Sequence, residues 1–131
     1  MYEVLLAVDT DEERAVKQAH AVVDLPGADE IHVTLLHSFT DNPSGASASQ
    51  VASVRRATET LKEADVEVAL YEDSGDPTEA ILDTAAEVDA DVICVGGRKR
   101  SPAGKALFGS VAQSVILQAD QPVLVTGGAT E

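Results

Sequence analysis

Residues 92–110, VICVGGRKRSPAGKALFGS, combine an apolar run, a loop rich in glycine and basic residues, and the expected start of a helix at Ser110. Four of the nine Lys and Arg residues of the chain lie in this stretch. No Asp or Glu occurs between Val92 and Ala119, although the chain has 23 of them. Because glycine-rich loops and helix N-termini present free backbone N–H groups to anions, the stretch predicts an anion site, most simply for phosphate.

The composition limits the class of protein. A length of 131 residues with 44% apolar residues predicts a single domain spanning residues 1–131. The formal net charge of −14 argues against a nucleic-acid partner and is typical of proteins from salt-loving hosts. No apolar run is long enough for a membrane span, and no signal-peptide pattern is present, so we expect no membrane partner and a cytoplasmic location. Cys94 is the only cysteine, which excludes a disulfide framework.

Five short apolar runs rich in β-branched residues alternate with segments of helical periodicity. The runs are strands expected at residues 2–8, 31–39, 66–71, 92–95 and 123–126. The helix starts are also recognisable from their capping patterns. These caps are predicted at Thr10 with Glu13, at Asp76 ahead of Pro77, and at Ser110 with Gln113.

The alternation of strands and helices predicts an α/β fold with a five-stranded parallel sheet and helices on both faces, a Rossmann-like arrangement. A chain that covers both faces must reverse its winding direction, and with five strands the reversal falls between the first and fourth. The expected strand order is therefore 3-2-1-4-5. Ligands bind beyond the carboxyl ends of the strands at such a reversal, so Asp9 is expected to face Gly96 there.

Three common phosphate-site patterns do not fit. A Walker A loop needs four residues between its glycines, but six separate Gly97 from Gly104. The dinucleotide fingerprint should follow the first strand, where no glycine occurs. A receiver domain needs a lysine after the last strand, and residues 126–131 contain none.

The spacing from Gly96 to Gly109-Ser110 resembles that of the universal stress protein family. That family carries Gly, two residues, Gly, nine residues and then Gly-Ser or Gly-Thr between the fourth strand and the fourth helix. The LLAVD opening, Leu36-His37 and the QPVLV ending, residues 121–125, extend the resemblance over essentially the whole chain. One position departs from the pattern, because Lys99 stands where the family has its second glycine.

The resemblance implies an adenine-nucleotide site, with ATP as ligand and Mg²⁺ entering with its phosphates. Lys99 makes this implication depend on whether its side chain helps to bind phosphate or fills the pocket. The residues implied to bind nucleotide are Ala7, Val8, Asp9, Ser38, Val95, Gly96, Gly97, Arg98, Lys99, Gly109, Ser110 and Val111.

The last strand predicts self-association, because residues 123–126 form an apolar sheet edge without charge or proline. The resemblance implies the same, since universal stress proteins commonly dimerise through this strand. The expected function is a homodimeric, ATP-binding stress-response sensor or adaptor.

Other interpretations remain open at this point. The chain could be a dimeric interaction module without nucleotide that uses the basic loop 98–105 for a protein partner. It could instead be a nucleotide-dependent hydrolase, although the sequence shows no nucleophile–base pair and indicates at most slow ATP hydrolysis. Asp9 could serve to cap the first helix, and His37 is expected to be a packing residue at the end of its strand.

Overall fold

The computed structural model describes residues 1–39, 47–97 and 109–127. Within these ranges strands and α-helices alternate along the chain. The strands are β1 (Tyr2–Ala7), β2 (Ile31–Phe39), β3 (Glu67–Ser74), β4 (Val92–Gly96) and β5 (Val123–Thr126). The α-helices are α1 (Glu12–Val23), α2 (Ala52–Glu63), α3 (Pro77–Glu87) and α4 (Ser110–Gln118). Two short 3-10 helices, Ala28–Glu30 and Ala48–Gln50, precede β2 and α2.

The strands form one parallel sheet in the order β3-β2-β1-β4-β5, which confirms the order expected from the sequence. The chain builds outward from β1 to β3 on one side and then returns to add β4 and β5 on the other. The reversal of winding therefore lies between β1 and β4. The pairing of these two strands ends at Leu6 and Cys94, so they separate beyond that point.

Each face of the sheet packs against a pair of helices, because successive side chains of a buried strand point to opposite faces. On one face Leu6 packs with residues of α1 and α2 such as Ala19 and Leu61. On the other face Leu5 packs with residues of α3 and α4 such as Ile81 and Val115. The central strands are apolar on both faces for this reason, as their sequence pattern predicts.

The helix starts confirm one predicted cap and correct another. Asp76 caps α3, with its Oδ2 accepting the Glu79 N–H at 3.2 Å. The cap predicted at Thr10 is wrong, because Asp11 caps α1 and its Oδ1 accepts the Arg14 N–H at 2.9 Å. The physical reason is a tight turn before the helix, in which Asp9 Oδ1 accepts the Asp11 N–H at 3.0 Å.

The cap predicted at Ser110 is also wrong. Gly109 occupies the cap position of α4 with an extended backbone, and its carbonyl accepts the Gln113 N–H at 3.0 Å. Ser110 is the first residue of the helix, and its side chain is exposed. No side chain within the described residues caps α4, so none of them occupies its first backbone N–H groups.

The two outer strands behave differently from each other. β3 continues to Ser74, three residues beyond the predicted end, because it pairs along β2 as far as Phe39. β5 is short and pairs with β4 on one side, and it is the last strand in the order.

Among the helices in the described parts of the chain, none combines the length and apolar character that a membrane crossing requires.

Candidate functional site

A crevice opens at the carboxyl edge of the sheet, where β1 and β4 separate. Its cavity has a volume of about 450 Å³, which falls within the range of about 300–1,000 Å³ that is usual for small-molecule sites. The walls come from the ends of β1, β2 and β4, from the first turns of α1, and from the N-termini of α3 and α4. The fold thus places a ligand-sized cavity at the reversal of winding, as parallel sheets of this kind do.

The structure brings most of the sequence-predicted site residues to this cavity. Nine of them line it: Ala7, Val8, Asp9, Ser38, Val95, Gly96, Gly109, Ser110 and Val111. Gly97 does not line the cavity; its N–H donates to the Thr126 carbonyl at 3.0 Å and ties β4 to β5. Arg98 and Lys99, with the rest of the basic loop, lie outside the described residues.

Ten further residues line the cavity that the sequence did not assign to a ligand. These are Thr10, Arg14, Gln18, Leu36, His37, Phe39, Val51, Pro77, Ile81 and Ala112. The most informative are Arg14 and Gln18, both on α1. Gln18 lies on the apolar face of that helix with Ala15 and Ala19. A polar residue on such a face needs a buried hydrogen-bond partner, and this sequence feature could have indicated its role.

One part of the crevice wall, called the apolar end below, is formed by buried core residues. Leu36, Ile81 and Val95 are buried in the core beside it. His37 is 3% exposed and its Nδ1 lies 2.9 Å from the Val8 carbonyl. The ring packs edge-on against Phe39, with ring centroids 4.6 Å apart. The expectation that His37 is a packing residue at its strand end is confirmed, and this end of the crevice suits a flat apolar ring.

Gln18 bridges the two strands at the point where they separate. Its side chain is 1% exposed, and its Nε2 donates to the Ala7 carbonyl at 2.7 Å, with the Cys94 carbonyl 3.4 Å away. Where two strands separate, their backbone carbonyls no longer accept hydrogen bonds from the neighbouring strand. A buried carbonyl without a donor is costly. Gln18 therefore stabilises the open shape of the crevice floor.

Two opposite charges face each other at the crevice. Arg14 Nη1 forms an ion pair with Asp9 Oδ2, and Arg14 Nη2 lies 3.4 Å from Asp11 Oδ2. Asp9 also accepts the Asp11 N–H, so its role at the start of α1 is a turn contact next to the cap itself. The ion pair leaves the wall formed by these residues without a strong net negative charge, although the whole chain carries −14.

Two polar features lie at the crevice, the lining residue Ser38 and the start of α4. Ser38 Oγ is buried and has no hydrogen-bond partner among the described residues. The uncapped first turn of α4 adds backbone N–H groups and the positive end of a helix dipole. Together with the apolar end, these groups suit a ligand that joins a flat ring to an anionic group.

The described residues can be compared with the needs of metal binding and of nucleophilic catalysis. They contain no group of three or more His, Cys, Asp or Glu side chains that could hold a metal ion. Cys94 is fully buried, and this burial raises the pKa of its thiol to about 12, against a smaller opposing effect of a hydrogen bond from Gln18. A thiol with that pKa is not a nucleophile near neutral pH.

Comparison with known proteins places the chain in a family. The family model of the universal stress protein family matches residues 1–127. A universal stress protein of Mycolicibacterium smegmatis is 45% identical over 49 residues, which are 37% of this chain and 38% of that relative. The match therefore spans about two fifths of the relative's length.

Solved structures match over nearly the whole chain. The structure of a universal stress protein from Archaeoglobus fulgidus superposes with a TM-score of 0.78 at 29% identity, covering 96% of this chain and 98% of that one. A universal stress protein from the same organism in complex with dAMP gives a TM-score of 0.73 at 24% identity, with the same coverage of 96% and 98%. The fold, the site at the reversal of winding and the match over residues 1–127 agree: this chain belongs to the universal stress protein family.

Proposed function

We propose that this chain binds an adenine nucleotide in the crevice between β1 and β4 and acts as a stress-response sensor or adaptor. The observation that carries the proposal is the pairing of an apolar end, beside Leu36 and Val95, with the uncapped N-terminus of α4. The first suits an adenine ring, and the second suits phosphate. A protein with this fold from Archaeoglobus fulgidus holds dAMP, while the proposal for this chain rests on its own crevice.

ATP with Mg²⁺ is the proposed ligand. Ala7, Val8 and Val95 would lie against the base and ribose, with Asp9 and the unpaired Ser38 hydroxyl as polar contacts. The N–H groups at the start of α4 would receive the phosphates. Because the described residues offer no cluster of metal-ligating side chains, Mg²⁺ would enter bound to the phosphates.

Isothermal titration of the protein with ATP and Mg²⁺ tests the proposal, and Ser110→Pro is the decisive variant. Ser110 is the first helical residue of α4, where proline is well tolerated, and the extended backbone of Gly109 suits a following proline. The substitution removes the hydroxyl and one backbone N–H while leaving the helix intact. Ser110→Ala is the matched control, since it removes the hydroxyl alone.

We expect ATP to bind the parent chain, Ser110→Ala to bind it nearly as well, and Ser110→Pro to bind it several-fold more weakly. Loss in both variants to the same extent would assign the effect to the hydroxyl. Absence of heat with ATP, AMP and adenosine at high protein concentration would contradict the proposal as a whole.

We further propose that the chain forms a homodimer through antiparallel contact of two β5 edges. β5 pairs with β4 on one side and ends the sheet, and such an edge presents backbone groups to another chain. On α4, which packs beside β5, Ile116 and Leu117 are 40% and 76% exposed. These apolar side chains would be covered by the second copy.

Sedimentation velocity of Leu117→Asp, with Gln118→Asp on another face of the same helix as the matched control, tests the dimer. Both residues are exposed, so neither change should unfold the monomer. We expect only Leu117→Asp to shift the protein toward monomer, because it places a charge in the proposed interface. Equal behaviour of the two variants would place the interface elsewhere.

A further inference from the structure

Arg14 projects from the first turn of α1 to the wall of the crevice, on the opposite side of β4 from α4. Its side chain is 16% exposed and lines the cavity. The guanidinium group contacts the carboxylates of Asp9 and Asp11 through its two Nη atoms. A guanidinium group carries five N–H donors, so each Nη keeps a second N–H beyond its contact with a carboxylate.

The fifth donor of the group is Arg14 Nε. It is buried and has no hydrogen-bond partner among the described residues. A buried N–H on a charged group that lacks an acceptor is costly, and most such groups in proteins are paired. Because Nε is shielded from solvent, a ligand in the cavity would meet the second N–H groups of the Nη atoms of this cavity-lining side chain.

The fit between Arg14 and Gly96 keeps the side chain at this wall. A Cβ atom at Gly96 would lie 2.6 Å from both Cγ and Cδ of Arg14. The aliphatic part of Arg14 thus packs directly on the backbone at the end of β4, in space that only glycine leaves open. Gly96 lines the cavity as well, so the guanidinium group is held next to the crevice and not in bulk solvent.

The balance of charge supports the same role. Asp9 lines the cavity, and its carboxylate would repel a phosphate group if it had no cationic partner. Arg14 offsets that charge, and it is the one Lys or Arg side chain among the described residues that lines the cavity. In a protein with a net charge of −14, such a local cation favours the approach of an anionic ligand.

We infer that Arg14 binds the phosphate part of the ligand and thereby makes the crevice select nucleotides over nucleosides. The inference rests on the proposed function and adds to it a specificity-determining residue on α1. In the complex the guanidinium group keeps its contact with Asp9 and donates a second Nη N–H to a phosphate oxygen. Charge-assisted bonds of this kind are among the stronger hydrogen bonds in proteins.

Binding of adenosine, AMP and ATP to the parent chain, Arg14→Gln and Arg14→Lys tests the inference. Arg56→Gln is the matched control, because Arg56 is exposed on α2, does not line the cavity, and changes the net charge equally. Circular dichroism and thermal melting establish that each variant is folded. Arg14→Lys retains the positive charge without the planar donor fork, so it serves if Arg14→Gln does not fold.

We expect Arg14→Gln to lower the affinity for AMP and ATP by about tenfold or more, as loss of one charged hydrogen bond does. The affinity for adenosine should stay unchanged. The affinity of Arg14→Lys for AMP and ATP should lie between those of the parent and Arg14→Gln. The affinity of Arg56→Gln should match that of the parent. Equal weakening of adenosine and AMP, or tighter binding of all three by Arg14→Gln, would overturn the inference, since the arginine would then shape or block the pocket. If the parent binds none of the three, the proposed function fails and this inference fails with it.

A double variant separates direct contact from simple neutralisation of Asp9. If Arg14 acts only by offsetting that carboxylate, Asp9→Asn with Arg14→Gln should bind AMP as well as Asp9→Asn alone. If Arg14 contacts phosphate, the double variant should remain about tenfold weaker than Asp9→Asn alone. The first result would overturn the inference.

Discussion

Replacement of Gln18 by leucine should destabilise the protein, because it removes the donor that bridges β1 and β4. Gln18 is 1% exposed, and its Nε2 lies 2.7 Å from the Ala7 carbonyl oxygen. Leucine has a similar volume and adds no polar atom, so the change leaves packing nearly intact. What it removes is the hydrogen bond at the floor of the crevice.

The expected cost follows from that carbonyl. A buried acceptor that loses its partner costs about 1–3 kcal/mol, so we expect the free energy of unfolding to fall by about 2 kcal/mol. With a urea m-value of about 2 kcal/mol/M, the unfolding midpoint should move down by about 1 M. The longer contact to the Cys94 carbonyl, at 3.4 Å, should contribute little.

Urea unfolding followed by far-ultraviolet circular dichroism measures the effect. Gln113→Leu on α4 is the matched control, because the same substitution at an exposed site should change the midpoint little. An unchanged or higher midpoint for Gln18→Leu would refute the reasoning, since the carbonyl would then need no donor.

Gln18→Glu adds a pH-dependent test of the same contact. An ionised carboxylate has no proton to donate and would face the carbonyl oxygens, so the pKa of the introduced group should be raised above its usual value of about 4.3. Its protonated form does donate. The stability lost relative to the parent should therefore develop as the pH rises through and above about 4.3, and should shrink in more acidic solution. A deficit that does not change with pH would contradict this account.

Three further outcomes are expected. Gly96→Ala should destabilise the protein by about 1–3 kcal/mol through the collision with Arg14, and Arg14→Ala in the same chain should recover much of the loss in a thermal melt. Asp76→Ala should cost about 1 kcal/mol through loss of the α3 cap, whereas Asp83→Ala at an exposed position within α3 should not, by the same assay. Cys94, whose pKa burial raises to about 12, should not react with a thiol reagent at pH 8 until the chain is unfolded. Because the unfolded thiol ionises at about 8.5, its contribution to stability is complete below that pH and should be lost as the pH rises toward the folded value. Reaction of Cys94 in the native protein would contradict its burial. Failure of Arg14→Ala to rescue Gly96→Ala would contradict the close contact between Arg14 and Gly96.

The fold was predictable because its signals are local and repeated. The apolar runs of β1, β2 and β4 are largely buried on both faces of the sheet, and each turn signal separates a strand from a helix. The parallel sheet and its order followed from the need for helical crossovers to cover both faces. The same argument placed Asp9 and Gly96 at one crevice, where both line the cavity.

The helix caps show where local patterns compete. Thr10 with Glu13 fits a capping box as well as any pair in the region, yet Asp11 forms the cap. The choice depends on how the chain leaves β1, and a turn closed by Asp9 shifts the helix start by one residue. Ser110 likewise has the residue type of a cap, but Gly109 takes the position in an extended conformation. Several residues near each start have the right chemistry, and the exit geometry of the preceding segment selects among them.

The sheet, its winding and the edge at which the cavity lies could be predicted from the sequence, because these depend on hydrophobic period and chain connectivity. Only the tertiary structure decided how the crevice is lined on its α1 side. Gln18 meets the Ala7 carbonyl, and Arg14 crosses Gly96 to reach Asp9, because α1 packs at one particular depth and rotation against β4. That placement results from the packing of the whole core, and no local pattern of residues encodes it.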